Sequence, residues 1–180
     1  MSQVELPYED TKESVINSLQ KQSLGVLATS KEDIVRAGMM RIISQGLKVY
    51  CFTDMNSRKY NQIQTNPNVA IVAKNIQIEG KAILKGNPAD EASFLEAYKE
   101  SQPDNYASSL EKGHFDRSNF RVIEINPSRI ALYKGIDVEA GTLSHIDVLN
   151  LQKKQAHRIT WLTSGKEPLN LSNAKAYIER

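Results

Sequence analysis

Val49-Tyr50-Cys51-Phe52-Thr53-Asp54-Met55-Asn56-Ser57-Arg58-Lys59 passes directly from an apolar, aromatic segment into a polar loop and a helix-initiating serine. Its first half has the composition of a strand interior. Ser57 then suits an N-cap, and a helix over 57–65 carries Tyr60 and Ile63 on one face before Asn66-Pro67 stops it. Arg58 and Lys59 stand where the helix dipole is already positive, at a cost of about 0.3–1 kcal/mol each. Two readings fit. Either free helix N–H groups, a serine hydroxyl and two cations form a phosphate cradle, or two long side chains simply reach into water.

On both sides of this segment the pattern is that of short strands, over 24–29, 34–43, 47–53, 68–74 and 76–84, bounded by Ser30, Gly46, Asn66-Pro67 and Gly86-Asn87-Pro88. Ser44-Gln45-Gly46 and Lys74-Asn75 are hairpin signals, which favour antiparallel pairing. Two further pieces, 120–125 and 130–133, flank Asn126-Pro127-Ser128. Helices are expected after Asp10, with Asp10 as N-cap, Glu13 completing a capping box and Val15, Ile16 and Leu19 inward. Another is expected from Asn87-Pro88, with Phe94, Leu95 and Tyr98 inward. Together these make a closed or partly open barrel with helices outside. Beyond Gly135 periodicity weakens, and Ser172 could cap a last helix with Ala176, Tyr177 and Ile178. Trp161 reads as packing.

Composition narrows the function. The 180 residues suffice for one domain burying about 70% of its unfolded surface, and 40% hydrophobic with 24% charged residues is globular. One cysteine, Cys51, excludes an internal disulfide and any multi-cysteine metal cluster; its apolar neighbours mark a packing thiol rather than a nucleophile. The longest apolar run, 69–73, cannot span a bilayer. The first residues lack a signal-peptide pattern, so a cytoplasmic location is expected. Net charge is +2 and names no partner. Six acids against two bases over 87–112, and six bases against two acids over 151–180, read as solvated charge rather than a nucleic-acid arm. His114, His145 and His157 share no metal-ligand spacing. No Gly-X-Gly-X-X-Gly, Gly-Lys-Ser loop or Gly-X-Ser-X-Gly elbow occurs.

Arg36 and Arg41 share one strand. Their offset of five points them to opposite faces, unless Gly38 marks a bulge that resets the alternation; ordinary exposed strand arginines are the other reading.

The 49–59 segment, followed by Gln62-Ile63 and Asn66-Pro67-Asn68-Val69, resembles the flavin-phosphate segment of pyridoxamine 5'-phosphate oxidase and its split-barrel relatives. The likeness continues through Ile78-Glu79-Gly80-Lys81-Ala82 and Val122-Ile123-Glu124-Ile125-Asn126-Pro127, covering about 15–133. It implies a mostly β, six-stranded antiparallel split barrel with flanking helices that forms a homodimer, with FMN between the subunits. The FMN-binding barrel would occupy residues 1–140, and 141–180 would be an extension of the same domain. Arg58 and Lys59 would hold the FMN phosphate and Ser57 would cap the helix beside it. Phe52 and Thr53 would lie against the cofactor. Arg36 and Arg41 match an Arg-X4-Lys strand whose Arg meets the phosphate and whose Lys faces substrate, and the backbone of Met39 and Met40 would approach the flavin ring. Asn75 stands where the oxidase has a flavin-contacting glutamine.

The chain also departs from the oxidase. In Tyr98-Lys99-Glu100-Ser101-Gln102-Pro103, Gln102 replaces the arginine that grips the substrate phosphate, and a neutral amide does not replace a bidentate cation. The expected function is therefore FMN-dependent oxidoreduction of a small molecule other than pyridoxamine phosphate, with the chemistry carried by the flavin and no side-chain acid or base assigned. The alternatives are a flavin storage or sensing module without turnover, and a barrel binding haem or a deazaflavin. No metal, nucleic acid or membrane partner is expected.

Overall fold

Along residues 24–31 burial alternates, with Gly25, Leu27 and Thr29 buried and Leu24 and Val26 exposed. That period of two commits the segment to a strand with one face on a core. In the computed structural model, which describes residues 2–137 and 142–160, strand β1 (Ser2–Leu6) and helix α1 (Tyr8–Leu19) precede β2 (Leu24–Lys31), β3 (Ile34–Arg41), β4 (Ile43–Gln45) and β5 (Lys48–Asp54). Helix α2 (Arg58–Thr65) then leads to β6 (Asn68–Ala73), β7 (Ile76–Leu84), a 3₁₀ turn at Pro88–Asp90, and helices α3 (Ala92–Ser101) and α4 (Pro103–Glu111). The chain continues through β8 (Phe120–Asp137), β9 (Thr142–Asn150) and β10 (Gln155–Thr160).

Every ladder is antiparallel. The order is β1-β10-β9-β8-β7-β6-β2-β3, with β5 joined to β8 and β4 to β5. The long β8 is the hinge of the barrel: its first residues pair with β5, its middle with β7 and its last with β9. The expected split barrel with flanking helices is the fold observed. Gly80 permits the closure. The β7–β8 register shifts there, and a Cβ on Gly80 would stand 2.9 Å from Pro127 Cα, so the absence of a side chain lets the two backbones meet.

The main core fills the barrel with Leu27, Ile71, Ile78, Ile123 and Ile125, closed by Val15 and Leu19 of α1. Each such side chain contributes about 1.5–3 kcal/mol by leaving water. A second core lies between β5, β8 and the helical segment, where Tyr50, Phe94, Tyr98, Phe115 and Val122 cluster. No helix among the described residues is long and apolar enough to cross a membrane.

Several local expectations are corrected. Helix α1 begins one turn earlier than Asp10: Pro7 is the N-cap, Thr11 Oγ1 donates to the Pro7 carbonyl at 2.8 Å, and Asp10 lies in the first turn, where the dipole favours it. Residues 34–43 are not one strand, because buried Ile42 leaves the ladder and its N–H donates to the Ser23 carbonyl. Conversely, 120–125 and 130–133 form the single strand β8, interrupted only by the shift at Pro127. The Asn87-Pro88 start is a separate 3₁₀ turn before α3. Strands β1, β9 and β10 and helix α4 are elements that the sequence pattern does not announce. The C-terminal helix at Ser172, with Ala176, Tyr177 and Ile178, and the packing role of Trp161 lie outside the described residues.

The β2–β3 hairpin turns at Glu32-Asp33, not at Ser30, with φ of 50° and 62°. Two successive left-handed residues suit Asn-Gly. Changing Glu32→Asn with Asp33→Gly is expected to stabilise the fold by about 1 kcal/mol, read as a higher urea midpoint; an unchanged midpoint would show the turn to be unstrained.

Candidate anion-binding site

Ser57 caps α2 as its position suggested. It sits in extended backbone, its Oγ accepts the Tyr60 N–H at 3.3 Å, and the Thr53 hydroxyl donates to the same oxygen at 3.2 Å. With both acceptor positions used, the Ser57 proton is left to donate outward. The backbone N–H groups of Arg58 and Lys59 have no partner within the helix. No acid occupies the first turn; Asp54, ahead of the cap, is turned to Asn56 N–H at 2.7 Å and to the Asn119 amide.

A buried polar link fixes that end against the sheet. Gln62 accepts from Thr29 Oγ1 at 2.6 Å and donates to the Ile34 carbonyl at 3.0 Å, tying α2 to both β2 and β3. The register pairs Thr29 with Arg36, so Arg36 projects beside the helix start. The resulting groove encloses about 470 Å³ and is lined by Thr29, Arg36, Gly38, Ser57, Arg58 and Lys59, among others. A Cβ on Gly38 would meet nothing within 4 Å, so the groove is open over that strand. Among the described residues, none of Arg36, Arg58 and Lys59 is in an ion pair. Three unmatched cations around free N–H groups supply the donor set that a phosphate or similar dianion requires, which makes the groove the candidate site.

The other sequence candidates are distributed differently. The β2–β3 register runs unbroken through Gly38; there is no bulge, and Arg41 faces away from Arg36. Its guanidinium instead donates to Gln102 Oε1 at 3.3 Å. Gln102 is buried, its Nε2 donating to the Ile42 carbonyl at 2.6 Å and its Oε1 also accepting from Asn105 Nδ2 at 3.2 Å. It locks the α3–α4 elbow to the barrel. Thr53 reaches the groove through Ser57, whereas the Phe52 ring turns into the second core, 5.7 Å from Phe94 and 5.8 Å from Phe120. Met40 packs on the main core and Met39 stands 70% exposed on the opposite face. Asn75 lies in the β6–β7 turn with its amide donating to the Tyr133 carbonyl at 2.8 Å, away from the groove lining. The residue that positions α2, Gln62, has no role in the motif as a sequence; its signal is a polar residue on the buried helix face beside Ile63.

Cys51 is fully buried, which pushes its thiol up to about 12, so it supplies no thiolate near neutrality. Among the described residues no three His, Cys, Asp or Glu side chains come together as a metal site.

A split barrel carrying a cationic groove at a helix start is the class that fold and site define. Residues 11–134 match the family model of pyridoxamine 5'-phosphate oxidase, and the chain belongs to that family. Among solved structures, general stress protein 26 from Bacillus anthracis str. Sterne is 26% identical, covering 66% of this chain and 90% of its own at a TM-score of 0.52. Campylobacter jejuni ChuZ is 13% identical over 91% of this chain and 67% of its own, at 0.62. An F420 reductase is 21% identical over 63% and 94%, at 0.51. No curated protein gives a significant match.

Proposed function

We propose that the chain binds FMN and acts as a flavin-dependent oxidoreductase on a small molecule other than pyridoxamine phosphate. The observation that carries this reading is the set of three cations, Arg36, Arg58 and Lys59, that line one groove with no carboxylate paired to them among the described residues. Arg36 and Arg58 would hold phosphate oxygens through guanidinium N–H groups, Lys59 as a point charge, and Ser57 and the helix N–H groups as neutral donors. Gln62 and Thr29 keep these donors in place before the ligand arrives. When bound, the flavin supplies hydride or electron transfer. Gln102 supports the exclusion of pyridoxamine phosphate, because its amide is uncharged and already spent on Ile42, Arg41 and Asn105.

A second copy of the chain as partner is supported by the outer face of the sheet. Register puts Val26 beside both Met39 and Val72, and these are 37%, 70% and 49% exposed, with Val35 at 70% on the same face. Apolar side chains gathered this way mark an interaction surface. Val26→Glu with Met39→Glu is expected to convert a dimer to a monomer in sedimentation velocity, and a wild-type monomer would remove the homodimer from the account.

Anaerobic mixing of the FMN-loaded protein with NADH or NADPH tests the enzyme reading. Bleaching of the flavin band is expected; a flavin that no physiological reductant bleaches would leave a storage or sensing module. The groove reads phosphate rather than ring, so a deazaflavin such as F420 would use the same residues, and mass analysis of the ligand released on denaturation distinguishes the two.

A further inference from the structure

Beside the first groove lies a second, of about 240 Å³, lined by Lys31, Glu32, Ile34, Arg36, Arg58, Asn61 and Gln62. Arg36 and Arg58 line both. The two guanidinium groups therefore form the boundary between two cavities and not the end wall of one. We infer that the phosphate pocket is open-ended: it accepts a phosphate that carries a further group, as in the pyrophosphate of a flavin dinucleotide, and the second cavity receives what lies beyond the first phosphate. This rests on the phosphate reading of the first groove.

The chemistry of the second cavity fits such an extension. A guanidinium offers five N–H donors in one plane, more than one terminal phosphate can use from a single side, so each arginine can donate into both cavities at once. Lys31 pairs with Glu32 at 3.6 Å, which leaves Arg36 and Arg58 as the uncompensated charge of this cavity as well. Asn61, exposed on the next turn of α2, contributes an amide with both donor and acceptor, suited to a ribose or base edge. Gln62 is already committed to Thr29 and Ile34 and forms the floor.

Asn61 lines only the second cavity, so it separates the two halves of the claim. Wild type, Asn61→Trp and the uncharged Asn61→Leu are titrated with FMN and with FAD by flavin fluorescence, thermal melts checking that each variant folds. Expected is FAD binding within about tenfold of FMN, with both variants weakening FAD by about tenfold or more while FMN changes by less than about twofold. Uptake of FMN with refusal of FAD overturns the open-ended pocket alone, as do Asn61 variants that treat the two flavins alike. Refusal of both flavins by wild type overturns the phosphate reading and this inference with it.

Discussion

Arg58→Ala combined with Lys59→Ala is expected to lose FMN affinity while gaining thermal stability. Each charge-assisted hydrogen bond removed costs about 1.5–3 kcal/mol. Arg58 is exposed and Lys59 half-buried, so solvent screening draws the total toward the lower end, about 3 kcal/mol or a hundredfold in Kd. In the free protein the same two charges oppose the helix dipole with no acid in the first turn to offset them. Removing them relieves about 0.3–1 kcal/mol each, worth about 2–4 °C per kcal/mol in Tm for a chain of this size. Opposite signs on ligand affinity and apo stability are the signature of cations kept for a ligand. Fluorescence titration and a melt of the ligand-free protein read the two, and a variant that loses stability without losing FMN would mean the pair serves the fold.

The second large effect is at Asp147. This carboxylate on β9 is almost wholly buried, takes Arg158 Nε at 2.7 Å and Lys134 Nζ at 3.0 Å, and so joins β8, β9 and β10; Lys134 also donates to Ser14 of α1 at 3.1 Å. Burial pushes its carboxyl up, but the hydrogen bonds and charges of Arg158 and Lys134 outweigh that and hold it below its ordinary 3.8. Asp147→Ala takes from Arg158 and Lys134 the buried carboxylate they share. Each is about one-third exposed and can recover some water, so the expected loss is near the low end of the range for a broken buried pair, about 3 kcal/mol. With the folded value depressed, the stabilisation is fully present above pH 3.8 and disappears as pH falls through the lower folded value. The stability gap between wild type and Asp147→Asn, measured by urea unfolding, is expected to be flat at neutral pH and to close on acidification below 3.8. A gap that persists at the lowest pH would assign Asp147 a packing role only.

Asp147 also explains what sequence reading missed. On β9, residues 146–149 are all buried, Ile146 and Val148 on a cluster with Ala131 and Leu149 on the main core. Two-sided burial erases the alternation that reveals a strand, and a buried carboxylate in its middle breaks the apolar run that would replace it. Helix α4 was silent for a related reason, since only Ser109 is buried along it. By contrast β2, β6 and β7 alternate cleanly, and their turns carry recognisable residues, so the barrel was legible. So was the start of α2, because the serine cap is where its position suggests, and the two cations that follow it break a local rule that a bound anion would repair. Arg36 joined it as the parity of β3 required, while Arg41 did not. As cofactor contacts Phe52 and Asn75 rest on the resemblance alone; in the fold Phe52 packs on the second core and Asn75 stands in the turn that Lys74-Asn75 predicts.

The central claim is tested most directly by the absorption spectrum of freshly purified protein, followed by FMN titration of any colourless fraction. The account predicts flavin bands as isolated, or saturable quenching of flavin fluorescence at one FMN per chain. A colourless protein that leaves FMN fluorescence unchanged throughout the titration would contradict it.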